Sequence, residues 1–214
     1  MSAFPEEAIQ PPDDLVGPLN ISALPRPVIG YVGGLHRFVD YDLVAAMARA
    51  RTSWSWVFLG AHQVSLDKLE GLTNVYLPGP QAHETLAAYL RSFSVCIVPY
   101  LNGPATAALV PTKINEYLAA GKAIVSTDLP YVCEFNAAHR VLLTSAPALP
   151  DFSWPSKAQL NAAHDPLERK RRREVASQAD WKMRIEQMSC LIERAIASRA
   201  IIPAGNDKPN QSRR

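Results

Sequence analysis

The sequence predicts a doubly wound α/β domain, a parallel sheet with helices on both faces, over residues 28–145. Two observations carry this expectation. Six short runs, VIGYVGG (28–34), WSWVFLG (54–60), NVYLPG (74–79), VCIVPY (95–100), AIVSTD (123–128) and RVLLTS (140–145), are apolar without polar alternation, the pattern of strands buried on both faces. Between several of them lie stretches whose apolar residues recur at helical spacing, so strands and helices take turns along the chain.

The elements follow in order. Residues 1–27 carry Pro5, Pro11, Pro12, Pro18, Pro25 and Pro27; these interrupt any periodicity, and the segment is expected to be a linker or arm. The first strand ends in Gly33 and Gly34. YDLVAAMARAR then places Leu43, Ala46, Met47 and Ala50 on one helical face, and HETLAAYLRSF does the same with Leu86, Ala87, Leu90 and Phe93. A short helix in VPTKINEYLAAGK would bury Ile114, Tyr117, Leu118 and Gly121. After the sixth strand, APALPDFSWPSK is a connection broken by prolines, and LERKRRREVA is a charge run. Ser177, with Asp180 three residues on, makes a capping-box pattern for a last helix with Trp181, Ile185, Met188, Ile192 and Ala195 on one face. The domain with this helix is expected to cover residues 28–200, and residues 201–214 a disordered polar tail.

Composition narrows the function. The chain has 214 residues, 48% hydrophobic and 20% charged, enough for a core without disulfide staples. A net charge of +2 is too small to argue for nucleic acid, and none is expected as a partner. Cys96, Cys133 and Cys190 lack ligand spacing, so no metal or redox site is expected. No apolar leader or membrane-length run is present. A reducing cytoplasm is expected, and with it no glycosylation at the NIS of Asn20.

In open α/β sheets ligands lie beyond the carboxyl ends of the strands, so the strand-exit loops are the candidates. The loop GGLHRF (33–38) pairs two glycines, which let a ligand approach the backbone closely, with His36 and Arg37, which could meet phosphate; it could equally be a plain strand-to-helix turn. It is not GxGxxG, so a dinucleotide fingerprint is absent. Gly79 and Pro80, in PGPQ, form a rigid turn that could take a ring face or simply turn the chain. PYLNGPATAALV is long for such a loop, and Tyr100, Asn102 and Thr106 offer hydrogen bonds. In PTKINEYL, Lys113 and the helix start suit pyrophosphate, while the Glu116 carboxylate could accept from two vicinal hydroxyls. The alternative is an ordinary surface pair at i,i+3, worth roughly 0.2–0.5 kcal/mol.

The order of PRPVIGYVGGLHRFVDYDLV, NVYLPGPQAHETLAAYLRSFSVCIVPY and PTKINEYLAAGKAIVSTDLP resembles the C-terminal, donor-binding half of a GT-B fold glycosyltransferase. The likeness is to retaining family four, in its polysaccharide and teichuronic acid biosynthesis branch, and it covers residues 26–196; Trp181 and Arg184 fit a late W..R helix. The resemblance implies a Rossmann-like domain that binds a nucleotide sugar as substrate, with no separate cofactor. It implies transfer to a glycan or lipid-linked acceptor with retention of configuration. By position, Glu116 matches the ribose-holding glutamate, Lys113 with Gly33 and Gly34 the pyrophosphate region, and Gly79 and Pro80 the loop bordering the base. The Arg and Lys usual in the family's first loop are not matched here, and Arg37 is expected to stand in for them. A second glutamate common in the family is Ala108 here, which leaves the sugar open. No catalytic base is assigned.

With 1–27 read as linker, the acceptor-binding domain is expected to be missing, making the chain a fragment, a remnant or one subunit of a split enzyme that needs an N-terminal acceptor-domain chain. A non-catalytic partner subunit is the alternative. The RKRRR run (169–173) is expected to be a solvated helix face, with an anionic membrane surface as the other reading and hence peripheral attachment at the inner membrane. An NAD-dependent enzyme lacks both the glycine fingerprint and an acid at the end of the second strand.

Overall fold

A computed structural model describes residues 19–142, 144–146, 154–162, 164–178 and 181–200. Six strands, β1 (Val28–Val32), β2 (Ser55–Leu59), β3 (Val75–Gly79), β4 (Val95–Val98), β5 (Ile124–Thr127) and β6 (Thr144–Ala146), form one sheet in the order β3-β2-β1-β4-β5-β6. Every pairing is parallel. The chain steps outward from β1 to β3, then returns to the centre and steps the other way. This leaves a switch point between β1 and β4, where the loops leaving the two strands diverge and open a crevice. Every residue of β1, β2, β4 and β5 is buried, which is why those runs show no alternation.

The helices of the sheet are α1 (Tyr41–Ala50), α2 (His83–Ser92), α3 (Lys113–Ala119) and α4 (Pro130–His139). Asp40 starts α1, its carboxylate accepting from the Leu43 amide at 2.9 Å. The buried residues of α3 are as expected, Ile114, Tyr117 and Leu118. In α1 and α2 the stripes differ. Val44, Ala45 and Ala48 are buried with Leu43 and Met47, while Ala50 is exposed; Ala88 and Tyr89 are buried with Leu90, while Leu86 and Ala87 are half-buried. A small alanine can turn inward wherever a helix approaches the sheet closely, which periodicity alone does not register.

Three expectations are corrected. The sixth strand starts at Thr144 rather than Arg140, because Arg140 takes a left-handed conformation (φ 52°) to end α4, a helix the sequence reading did not expect. The described part of the expected arm, residues 19–27, is tied to the domain: Ile21 lies in a 3-10 turn, Ile21–Ala23, and is wholly buried. The charge run forms α6 (Pro166–Ser177), after a short α5 (Lys157–Ala162), and is not solvated throughout. Arg172 is 2% exposed and donates to the Gly121 carbonyl at 2.9 Å.

By its internal contacts the chain divides after Ser177 into two compact units. The second unit holds α7 (Trp181–Ala200), on which Ile185, Met188 and Ile192 are exposed. Ser177 ends α6, its hydroxyl donating to the Glu174 carbonyl at 2.7 Å, rather than capping α7; Asp180 and the tail 201–214 lie outside the described residues. No helix among the described residues is long and apolar enough to cross a membrane.

Candidate functional site

The carboxyl ends of β1, β2 and β3 are locked edge to edge through glycines. Gly60 has φ +153°, and a Cβ there would stand 1.9 Å from the Gly33 carbonyl oxygen, so no other residue fits. Its amide donates to the Gly79 carbonyl at 3.0 Å, and the Gly33 amide donates to Leu59 at 2.8 Å. Gly33 itself has φ +141°, and Gly79 has φ +76° with open space on its side-chain face. Gly33, Gly34 and Gly79, chosen from separate motifs, therefore lie on one rim. The glycine pair is not bare: Cε of Lys113 lies 3.2 Å from the Cβ position of Gly33, and the Gln63 amide nitrogen 2.7 Å from that of Gly34.

Lys113 reaches into the switch-point crevice from the first residue of α3. Its ammonium donates to the Tyr100 hydroxyl and lies 4.8 Å from the centre of the Tyr100 ring and 5.2 Å from that of Tyr31. The Tyr31 hydroxyl donates to the Gly34 carbonyl at 3.0 Å and lies 3.4 Å from the Tyr100 hydroxyl. Burial, then the neighbouring Tyr100, raises the Tyr31 pKa, so the phenol stays a donor. Nδ1 of His36 accepts from the Phe38 amide at 3.2 Å, which leaves the proton of the neutral ring on Nε2, 3.5 Å from the Tyr100 hydroxyl. Burial first, and the Lys113 ammonium second, lower the His36 pKa. A chain of hydroxyls thus ties the ammonium on α3 to the glycine loop after β1.

Glu116 is half-buried in the first turn of α3, and its carboxylate makes no hydrogen bond or ion pair among the described residues. The surface pair with Lys113 is not formed, because the ammonium faces Tyr100 instead. The helix start is weaker than expected: α3 has seven residues, Thr112 gives no side-chain cap, and the Ile114 and Asn115 amides bond to the carbonyls of Pro111 and Thr112. The loop after β4 is held by its own polar groups. The Thr106 hydroxyl donates to the Leu101 carbonyl at 2.6 Å and accepts from the Gly103 amide at 3.2 Å, and the Asn102 amide donates to the Asp128 carbonyl at 2.8 Å. Tyr100, 2% exposed, serves Lys113 rather than facing solvent. Arg37 is exposed with its guanidinium 5.0 Å from the Phe38 ring centre, and Pro80 is exposed beside Gly79.

Sequence reasoning missed Tyr31, Tyr117 and Gln63. The Tyr117 hydroxyl accepts from the last amide of β1, Val32, at 2.8 Å, and so fixes where the glycine loop departs. A tyrosine inside an otherwise aliphatic strand was the available signal, since a buried hydroxyl needs a partner. Among the described residues no group of three or more His, Cys, Asp or Glu could hold a metal ion.

Comparison with known proteins agrees with this architecture. The family model described as glycosyl transferases group 1 matches residues 26–149. TuaH of Bacillus subtilis (strain 168), named for teichuronic acid biosynthesis and glycosyl transfer, is 27% identical over 165 residues, 75% of this chain and 42% of TuaH. Among solved structures, AviGT4, a glycosyltransferase of avilamycin A biosynthesis, superposes with a TM-score of 0.55 at 17% identity, over 79% of this chain and 53% of that one. Anabaena Alr3699/HepE, solved in complex with UDP-glucose, gives 0.54 at 14% identity, over 83% and 50%. These likenesses show a Rossmann-like domain of the GT-B type, and the chain spans about half the length of the proteins it matches. The family match covers more than half of the chain, and the chain belongs to the group 1 glycosyl transferases.

Proposed function

We propose that this chain is the donor-binding half of a glycosyltransferase and takes a nucleoside-diphosphate sugar at the β1–β4 switch point. The observation that supports the reading is Lys113 packed over Gly33, with an unpartnered Glu116 carboxylate in the first turn of the same helix. Such a ligand is anionic at its phosphates and hydroxylic at its ribose. Lys113 is 13 residues from Tyr100 in sequence yet is held over the glycine rim, where it meets the diphosphate. Glu116, on the same turn, accepts from the ribose hydroxyls. Gly79, open on its side-chain face, borders the base. That Alr3699/HepE was solved with UDP-glucose supports the ligand class.

The proposed chemistry is transfer of the sugar to a glycan or lipid-linked acceptor with retention at the anomeric carbon. One wall of a cleft binds donor but does not align an acceptor, so an acceptor-binding domain must complete it, and this chain alone binds without transferring. A non-catalytic partner subunit is the second reading. Mixing with a separate acceptor-domain chain separates the two: restored turnover supports the split enzyme.

Calorimetry with Glu116→Gln tests the ribose contact. The change should weaken binding of a ribonucleoside diphosphate by roughly 1–2 kcal/mol, a charged hydrogen bond made neutral, and leave the 2′,3′-dideoxy ligand unaffected. The same ratio for both ligands would remove Glu116 from the site.

A further inference from the structure

Helices of a doubly wound domain run against the strands they connect, so their carbonyl ends gather at the amino edge of the sheet, opposite the crevice. There the structure collects Arg26, Arg91, Lys122, Arg169, Arg172 and Arg173. Lys122 Nζ donates to the carbonyls of Arg91 at 2.7 Å and Phe93 at 2.8 Å, and Arg26 donates to that of Ser92 at 2.6 Å. Both close the end of α2. Arg172 does the same for α3 through Gly121.

Helix ends do not account for Arg91, Arg169 and Arg173. A Cβ on Gly121, the residue before Lys122, would lie 3.3 Å from Arg173 Nε and 3.7 Å from Arg169 Cβ, and Arg169 is among the charges that act on Lys122. Arg91, whose carbonyl accepts from Lys122 at 2.7 Å, has its Nε buried without a hydrogen-bond partner. None of the three forms a side-chain hydrogen bond or ion pair among the described residues. The nearest acids of α6 face other partners: Glu174 is 3.9 Å from Lys170 and Glu168 is 3.9 Å from Arg171. Burial pushes the Lys122 pKa down to about 8; Cys96 opposes this, and Arg169, Arg26 and Arg91 add to it, with no carboxylate among the charges it feels.

We propose that this cluster is a second anion site, separate from the donor crevice, that binds phosphate oxygens between the Arg91, Arg169 and Arg173 guanidiniums above Lys122. Like charges gathered over a half-buried ammonium repel one another, and an anion reverses the sign of that interaction. Guanidinium forks match phosphate oxygens two at a time. The phosphate belongs either to a soluble phosphate ester or to an anionic lipid headgroup.

Two assays at fixed ionic strength distinguish the sources. In one, sodium phosphate is titrated while the amide resonances of Phe93, Gly121 and Lys122 are followed. In the other, the chain is sedimented with vesicles of equal parts phosphatidylglycerol and phosphatidylcholine, and with phosphatidylcholine alone. Binding in the first assay points to a soluble ligand, and binding to the anionic vesicles alone points to a headgroup. The double variant R169Q/R173Q changes two exposed side chains, so its fold is retained, and it should weaken whichever binding is seen by about tenfold. The proposal is overturned if neither probe binds, if phosphate moves only the glycine-loop amides, or if the variant binds like the parent.

Discussion

Replacing Lys113 by Met separates the phosphate contact from everything else the residue does. Methionine keeps the stem, whose Cε packs 3.2 Å from the Cβ position of Gly33, so no cavity opens in the rim. Only the ammonium is lost. A charge-assisted contact to phosphate contributes roughly 1.5–3 kcal/mol. In the free protein the ammonium already lies 4.8 and 5.2 Å from two aromatic centres, contacts of about 0.5–1 kcal/mol each at a part-exposed site. Some of these are given up when the phosphate is met, so the net loss should sit near the lower limit, roughly tenfold in affinity. Calorimetry with UDP, GDP and dTDP, each beside its nucleoside, reads the difference. The diphosphate of the preferred base should weaken about tenfold while its nucleoside changes by less than about twofold. Equal losses for the two ligands would refute the assignment of Lys113 to the phosphates.

Two other perturbations bear on the same rim. Gly60→Ala must drive the chain apart where β2 meets the glycine loop, because its Cβ would overlap the Gly33 oxygen at 1.9 Å; urea unfolding should show a loss of about 3 kcal/mol or more, and a loss under about 1 kcal/mol would mean that the rim yields freely. His36 titrates below its unfolded value, so the unfolded chain binds the proton more readily and stability falls as pH drops below about 6.5. In thermal melts His36→Gln should flatten this fall relative to the parent; His164 shifts in the same direction and is unchanged in the comparison, so identical slopes would show that His36 does not contribute.

The sheet was legible because its buried strands are unbroken apolar runs, each followed by a turn residue, and Val28, Ser55, Val75, Val95 and Ile124 begin strands within a residue of where the pattern starts. Lys113, Glu116 and the glycines were legible as residue types at strand exits. What joins them was not. The Tyr31–Tyr100–Lys113 chain is made across 69 and 13 residues of sequence, and no local spacing records which hydroxyl meets which ammonium. The same holds for α6, where the run 169–173 reads as solvated, yet Arg172 turns inward to the Gly121 carbonyl 51 residues away. The helix α4 was missed because its apolar residues are too evenly spread for a stripe, with Val132 its one wholly buried side chain.

The central claim is that the carboxyl edge at the β1–β4 switch point binds a nucleoside diphosphate. Amide chemical-shift mapping of the 214-residue chain during titration with UDP, GDP and dTDP tests it most directly. Saturable shifts are expected at Gly33, Gly34, Lys113, Ile114 and Glu116, with Gly79 responding to the base. Absence of shifts with all three nucleotides, or shifts confined to the amino edge around Lys122, would contradict it.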